Sequence, residues 1–208
     1  MKTRFFTLSL AGLFAFALAV IGWHSSAFSV QAQDAAPQIE AANEPQSVHR
    51  TLVFDVATDA RTMRLNRGAA LPEAKRGDSF IVEGKIYPGG TLPVGGTLTA
   101  PGSFNLDGDT RSIGKWVLRG TFNYDFGEII GGAEPAVFGT QYFLFNDGRM
   151  LVTDGSHGAS TPQLRAILGG GGAFSGACGE VTEQVIGTNL TGLFNQRFTF
   201  RLKRESIR

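Results

Sequence analysis

The sequence predicts an all-β protein, an eight-stranded antiparallel up-and-down β-barrel. Eight short strand-like runs follow one another, separated by turn residues, and the long 3.6-residue periodicity of amphipathic helices is missing. Successive hairpins without crossover helices imply an antiparallel meander. A meander of eight strands removes its exposed edges by closing into a barrel.

The eight runs are apolar or alternate in polarity, and most of them are bounded by Gly, Pro, Asn or Asp. They span residues 51–57, 79–87, 115–124, 138–146, 150–154, 163–168, 179–186 and 194–203. The last run alternates most clearly, with Phe198 and Phe200 on one face and Arg197 and Arg201 on the other. An Asp-Gly pair at 147–148 is a strong hairpin signal between the fourth and fifth runs.

Two segments of the domain lack a regular pattern. Residues 88–108 hold many Gly and Thr residues and few charges, and residues 128–135 form a second insertion. Long structureless loops in compact domains are often binding loops or mobile solvated segments. The sequence leaves both alternatives open.

The N-terminus predicts export. Lys2 and Arg4 precede an uncharged run at 5–21 that is rich in Leu, Phe and Ala, and the sequence Val30-Gln31-Ala32 ends in a small residue of the kind that a signal peptidase accepts. The alternative is an uncleaved membrane anchor, although the run is just short of the ~18 residues that indicate a spanning helix.

The same features divide the chain into three parts. We expect residues 1–32 to be a signal peptide, residues 33–47 to be a flexible leader, and residues 48–208 to form the barrel domain. Cleavage after Ala32 leaves no membrane span and gives a secreted or periplasmic protein.

Composition excludes several classes of function. From residue 33 onward the chain has 17 basic and 18 acidic residues, a formal charge of −1, which gives no case for binding nucleic acid. Cys178 is the only cysteine, so no intramolecular disulfide forms and stability must come from a packed core. No Cys/His spacing predicts a metal site, and no phosphate-binding motif is present, so we expect neither a metal nor a cofactor.

The glycine-rich stretch at 169–172 stands between the sixth and seventh runs. Its glycines free the backbone for the positive φ angles of a tight connection, and Phe174 offers a large apolar anchor. The segment resembles the C-terminal signature of the allene oxide cyclase and dirigent barrel superfamily, roughly Gly-Gly-Thr-Gly-x-Phe-x-x-Ala-x-Gly. The matching residues are Gly169, Gly170, Gly172, Phe174, Ala177 and Gly179.

A second segment carries the same resemblance. Gly77, Asp78, Lys85, Tyr87 and Gly89 match a plant allene oxide cyclase segment in register. The resemblance is strongest to bacterial exported members, and it implies a barrel with an internal pocket. The plant members are typically trimers, so it also implies a homo-oligomer.

Two departures keep the plant activities from being carried over. The cyclases have an asparagine that helps to hold a water after the acid of their first strand, and that position is Ala57 here. The dirigents have an arginine before the final glycine of the turn signature, and that position is Cys178.

Polar residues within apolar runs are the candidate site residues. Asp55, Glu83, Arg119 and Tyr142 are the candidate ligand-binding residues, with Gln141 beside them, and Asp55 and Glu83 are the candidate catalytic acids. Asp55 lies in a run that resembles the aromatic-acid-aliphatic first strand of the family. A carboxylate inside a barrel suits acid–base work or the binding of a polar ligand. The alternative is that these residues face solvent.

An inward Asp55 has a consequence for its neighbours. Because strand residues alternate, Leu52, Phe54 and Val56 would then point outward. Such an apolar outer face would need to be covered by other subunits around a symmetry axis.

Three functional hypotheses follow. The first is an exported dirigent-like and allene oxide cyclase-like barrel that binds a small apolar or phenolic ligand in its interior and steers its reaction. The second is an isomerase or cyclase that uses Asp55 or Glu83 as a general acid. The third is a ligand-free structural protein of the envelope. A pocket with buried carboxylates favours the first two, and an interior filled with Phe and Leu favours the third.

Overall fold

The structure, a computed structural model, describes residues 49–95, 104–158 and 162–203, all within a compact unit that spans Pro45–Arg208. The expected signal peptide and leader lie outside these residues. Eight strands follow chain order around a closed barrel. They are β1 (His49–Leu65), β2 (Ser79–Pro88), β3 (Gly114–Phe122), β4 (Val137–Phe145), β5 (Met150–His157), β6 (Gln163–Gly171), β7 (Gly179–Thr188) and β8 (Phe194–Lys203).

Every neighbouring pair of strands is antiparallel, and β8 closes the barrel by pairing with β1. The predicted fold class is therefore confirmed. The first strand is longer than the predicted run at 51–57. A register shift between Asp59 and Arg64 bends it, so that its final residues still pair with the start of β2.

The register of β1 on β8 identifies the inner face. Phe198 and Phe200 are fully buried in the interior. Directly paired residues in an antiparallel ladder share a face, and Phe54 pairs with Phe198 while Leu52 pairs with Phe200. Leu52, Phe54 and Val56 therefore point inward, and the expectation that they point outward is wrong.

One half of the interior is filled with aromatic rings. The ring centroid of Phe143 lies 5.0 Å from those of both Phe198 and Phe200, and Phe54 lies 4.9 Å from Phe145. Tilted and edge-on contacts at these distances are favourable beyond the burial of area. This half lies toward the end of the barrel at which β4 ends and β5 begins.

A second apolar cluster lies on the outer wall. Two segments that follow β2, residues 88–95 and 104–106, cover β1 there, and we call them the strap. Gly95 N donates to Ile186 O at 2.6 Å and Leu190 N donates to Phe104 O at 3.0 Å. The buried residues of this cluster are Ala57, Tyr87, Leu92, Phe104, Leu106 and Ile186. The described parts of the irregular 88–108 segment are therefore a cover for the barrel wall.

The insertion between β3 and β4 contains the short helix α1 (Phe126–Ile130). Its start is fixed by Asp125 N, which donates to Glu128 Oε2 at 2.8 Å. Phe126 and Ile129 pack against the main core, at the end of the barrel opposite the aromatic half. No helix in the described part of the chain is long and apolar enough to span a membrane.

The glycine-rich connection turns the chain from β6 into β7. A single 3₁₀ turn at Gly172–Phe174 follows β6, and Gly172 has φ 61°, in the left-handed region. Phe174 is 3% exposed and lies 5.8 Å from the ring of Phe145. At Gly179 a Cβ atom would lie 2.1 Å from Arg201 O, so glycine is required there by close approach.

Gly172→Val is expected to lower the free energy of unfolding by roughly 1–3 kcal/mol, because a β-branched residue is strained at positive φ. The space is not limiting, since a Cβ at Gly172 would have no neighbour closer than 3.5 Å. Gly171→Val is the matched control, because Gly171 has φ −130° and its Cβ would have no neighbour closer than 3.7 Å. Chemical denaturation measures both variants, and equal losses would contradict the assignment of strain to Gly172.

Candidate functional site

The inner face of the barrel becomes polar toward the end at which β5 ends and β6 begins. Several polar side chains point inward there. Glu183 pairs with Phe198 and Gln141 pairs with Leu118, and because directly paired residues share a face, both polar side chains lie on the same inner face as their apolar partners. We call the inward polar side chains the polar cluster, and none is more than 5% exposed. Its members are Thr58, Gln141, Thr153, Arg165, Glu183 and Gln196.

Glu183 is the centre of the polar cluster. Gln141 Nε2 donates to its Oε2 at 2.7 Å, and Gln196 Nε2 donates to its Oε1 at 2.8 Å. His157 Nδ1 also lies against Oε1. Both oxygens of a carboxylate that is 1% exposed are therefore occupied by hydrogen-bonding partners, which is the condition for burying such a group at tolerable cost.

Arg165 supplies a buried positive charge beside Glu183. Its Nε lies 3.8 Å from Glu183 Oε2 and makes no hydrogen bond within the described residues. Its terminal nitrogens donate to the main-chain oxygens of Gly139, Gly155 and Ser156. Gly139 pairs with Gly155, and a Cβ at Gly155 would lie only 3.3 Å from atoms of Arg165, so the absence of a side chain at Gly155 makes room for Arg165.

The surroundings of Glu183 set its protonation. Burial alone would raise the pKa of its carboxyl, but His157, Arg165 and the Gln141 amide together hold that pKa below the ordinary value of 4.5. Burial also lowers the pKa of the Arg165 guanidinium, against the opposing effect of Glu183. Glu183 is therefore a carboxylate at neutral pH.

His157 connects the polar cluster to the end of the barrel. Its side chain is 15% exposed, whereas Glu183 is almost completely buried. Because Nδ1 faces the carboxylate, the tautomer with the proton on Nδ1 leaves Nε2 as an acceptor, and no described residue hydrogen-bonds to Nε2. A histidine oriented by a carboxylate in this way can take a proton from a weak acid.

Asp55 is buried, but on the outer wall of the barrel. Its Oδ1 accepts from Arg197 Nε at 2.8 Å, and its Oδ2 accepts from the main-chain nitrogens of Gly90 at 2.8 Å and Leu92 at 3.0 Å. The carboxylate therefore holds the strap against β1. The expectation that Asp55 lines the interior is wrong, because its pairing with Arg197 places it on the outward face.

The other predicted site residues also lie on the outer wall. Glu83 forms an ion pair with Lys115 at 2.7 Å. Arg119 and Tyr142 are brought together, with the guanidinium carbon 5.9 Å from the ring centroid. Of the five polar residues singled out from the sequence, Gln141 alone points into the barrel, where it pairs with Leu118. Glu83, Arg119 and Tyr142 are therefore not in the interior, since each occupies an outward position in its strand.

Sequence reasoning missed Glu183, His157 and Arg165. Glu183 could have been found from the sequence, because it lies two residues from both Val181 and Val185. In a strand this spacing places all three side chains on one face, so the acid shares a face with two apolar residues. His157 lies beyond the predicted end of its strand. Within the described residues, no group of three or more His, Cys, Asp or Glu side chains is placed to hold a metal ion.

The barrel is similar to solved structures. The pterocarpan synthase dirigent protein PsPTS1 superposes with a TM-score of 0.53 at 15% identity, covering 76% of this chain and 97% of the other. The pterocarpan synthase dirigent protein GePTS1 gives a TM-score of 0.50 at 15% identity, covering 79% and 90%. This chain has the dirigent-like barrel fold.

The likeness is confined to the fold. A pyocyanin demethylase also matches, with a TM-score of 0.45 at 16% identity, covering 74% of this chain and 100% of the other. No protein-family model matches the chain, and no curated protein matches it either. The functional reading of this dirigent-like barrel therefore depends on its own side chains.

Glu183→Gln is expected to lower the free energy of unfolding at pH 7 by roughly 3–5 kcal/mol, because it leaves Arg165 buried without its countercharge. A folded-state pKa below the ordinary 4.5 contributes stability that is present above that value and is lost as pH falls through the folded pKa. The difference between wild type and variant should therefore shrink below about pH 4.5.

Urea denaturation between pH 7 and pH 3 measures this difference. Glu83→Gln is the control, because Glu83 is partly exposed and its ion pair with Lys115 contributes about 0–1 kcal/mol. A Glu183→Gln difference that stays constant from pH 7 to pH 3 would show that folding does not lower the pKa of Glu183, and one that grows as pH falls would show that burial raises it.

Proposed function

We propose that the protein is an exported dirigent-like barrel that binds a small apolar or phenolic molecule at the polar end of its interior and steers its reaction. The observation that carries the proposal is the pairing of buried Glu183 with partly exposed His157. A closed barrel offers one enclosed interior, and here buried polar side chains lie toward one end of an otherwise apolar interior. An amphipathic molecule such as a phenol matches this division.

The fold supports the same proposal. Two proteins with this barrel are named as pterocarpan synthase dirigent proteins, so the architecture is compatible with small-molecule chemistry. Export is supported by the N-terminal sequence, with Lys2 and Arg4 ahead of an apolar run and a small residue at Ala32.

The chemistry available to the site is proton transfer and orientation. His157 Nε2 would accept a hydrogen bond from a phenolic hydroxyl, and Glu183 would stabilise the positive charge if the proton moved to the imidazole. The ring of the ligand would contact the apolar side chains of the interior. An isomerase or cyclase would use the same pair, with Glu183 in place of the outward Asp55 and Glu83.

A ligand-free structural protein is the second candidate. It is favoured by the close contacts of Phe143 with Phe198 and Phe200, which fill half of the barrel. The polar cluster argues against it, because burying a carboxylate and a guanidinium costs free energy that apolar side chains of similar volume would save.

Self-association is part of the proposal. Leu144, Leu164 and Leu168 on the outer wall of β4 and β6 are 38%, 60% and 62% exposed. We propose that copies of the chain pack on this face as a homo-oligomer, a trimer as the resemblance to the plant dirigent and allene oxide cyclase barrels implies. Sedimentation velocity tests this part: a trimer supports it and a monomer contradicts it.

Titration with 2-naphthol, an apolar phenol, tests the binding function. We expect saturable changes in the NMR signals of the Gln141 and Gln196 side-chain amides. His157→Ala should raise the dissociation constant about fivefold or more, which corresponds to the loss of one hydrogen bond. His49→Ala is the control, since His49 lies at the start of β1, at the other end of the barrel.

Absence of any interior signal change at saturating 2-naphthol would contradict the binding function and support the structural candidate. Binding that His157→Ala leaves unchanged would contradict the role of the Glu183–His157 pair.

A further inference from the structure

An open groove of about 630 Å³ lies on the outer wall of the barrel, across β1 to β4. Its volume falls in the range of small-molecule sites. The register gives the lining a regular layout, since Arg64 pairs with Ile81, Ile81 pairs with Arg119, and Arg119 pairs with Thr140. Four neighbouring strands thus present Arg, Ile, Arg and Thr in one row.

A second row lies beside the first and adds an aromatic ring. Thr121 on β3 pairs with Phe138 on β4, and both line the groove. Phe138 is 54% exposed, which is unusual for so large an apolar side chain. The groove therefore combines an exposed ring, an aliphatic side chain and threonine hydroxyls with two guanidinium groups.

The two arginines lack the acidic partners that most other arginines of the described residues have. Arg61, Arg67, Arg111, Arg149 and Arg197 each form an ion pair with an aspartate. Within the described residues neither Arg64 nor Arg119 forms one, and no acidic side chain lines the groove.

The two nearest acids in the register are already engaged. Glu83, two residues after Ile81, is paired with Lys115 at 2.7 Å, and Asp154, at the end of the row, accepts from Thr140 Oγ1 at 2.5 Å. The lining of the groove itself therefore carries two positive charges and no negative charge.

The two guanidinium groups are also held in place. Arg64 NH1 donates to the main-chain oxygens of Arg61 at 2.9 Å and Met63 at 2.7 Å. Arg119 lies over the ring of Tyr142, 5.9 Å from its centroid. Because Arg64 and Arg119 flank Ile81 on neighbouring strands, their backbones are about 10 Å apart, and both long side chains can reach one anion above Ile81.

We propose that this groove binds a small aromatic carboxylate. Its carboxylate would receive charge-assisted hydrogen bonds from Arg64 and Arg119, and its ring would pack against Phe138 and Ile81. The site lies outside the barrel, separate from Glu183 and His157, and does not depend on the function proposed for the interior.

Titration of the ¹⁵N-labelled protein with 2-naphthoate at low ionic strength tests the proposal. We expect saturable shifts of the Ile81, Thr121, Phe138 and Thr140 amides, and an affinity that falls as salt is added. Arg119→Gln should raise the dissociation constant about tenfold, and the double variant with Arg64→Gln should abolish saturation.

Arg201→Gln is the matched control, because Arg201 is an exposed outward arginine on β8, away from the groove, and it should leave the affinity unchanged. The proposal is overturned if 2-naphthoate produces no saturable shift, if Arg119→Gln binds as tightly as wild type, or if the shifts fall only on the polar cluster. In the last case the carboxylate enters the interior, and the groove is not a site.

Discussion

Closure of eight strands into one barrel forces every second side chain into an interior that water reaches poorly. Most of these positions are apolar and fill the aromatic half. Glu183 differs from them, because its ionised carboxylate is only 1% exposed. Burying such a charge is costly unless neighbouring side chains donate hydrogen bonds to it or carry the opposite charge. Gln141, Gln196, His157 and Arg165 provide that compensation, and the unusual side chains of the interior are explained together by this one charge.

The outer wall also holds a buried carboxylate, and different groups donate hydrogen bonds to it. Asp55 is also fully buried, and the strap supplies two main-chain N–H groups while β8 supplies Arg197. This carboxylate has its oxygens occupied by the strap and an arginine, so it fixes the strap and offers nothing to a ligand. Glu183 differs because one of its partners, His157, is partly exposed and has a second ring nitrogen. The two buried carboxylates therefore differ in the character of their partners.

The sequence predicted the strand order and the closed barrel, because alternation, turn residues and the glycine-rich connection are local properties. It did not predict which face of β1 is inside. The run Leu52-Val53-Phe54-Asp55-Val56 is apolar on both sides of the acid, since the strap covers the outer side, so alternation alone could not orient it. Arg165 could not have been placed either, because the space for its side chain depends on Gly155, which lies on the neighbouring strand β5.

The central claim is that Glu183 is ionised inside the barrel and orients His157. The most direct test is a ¹³C NMR titration of the Glu183 side-chain carboxyl, assigned by its loss in Glu183→Gln. The account predicts that this carboxyl remains ionised as pH falls through the ordinary value of 4.5, with its midpoint below it. A midpoint above 4.5 would mean that burial outweighs His157, Arg165 and Gln141, and that the interior holds a neutral acid in place of a carboxylate.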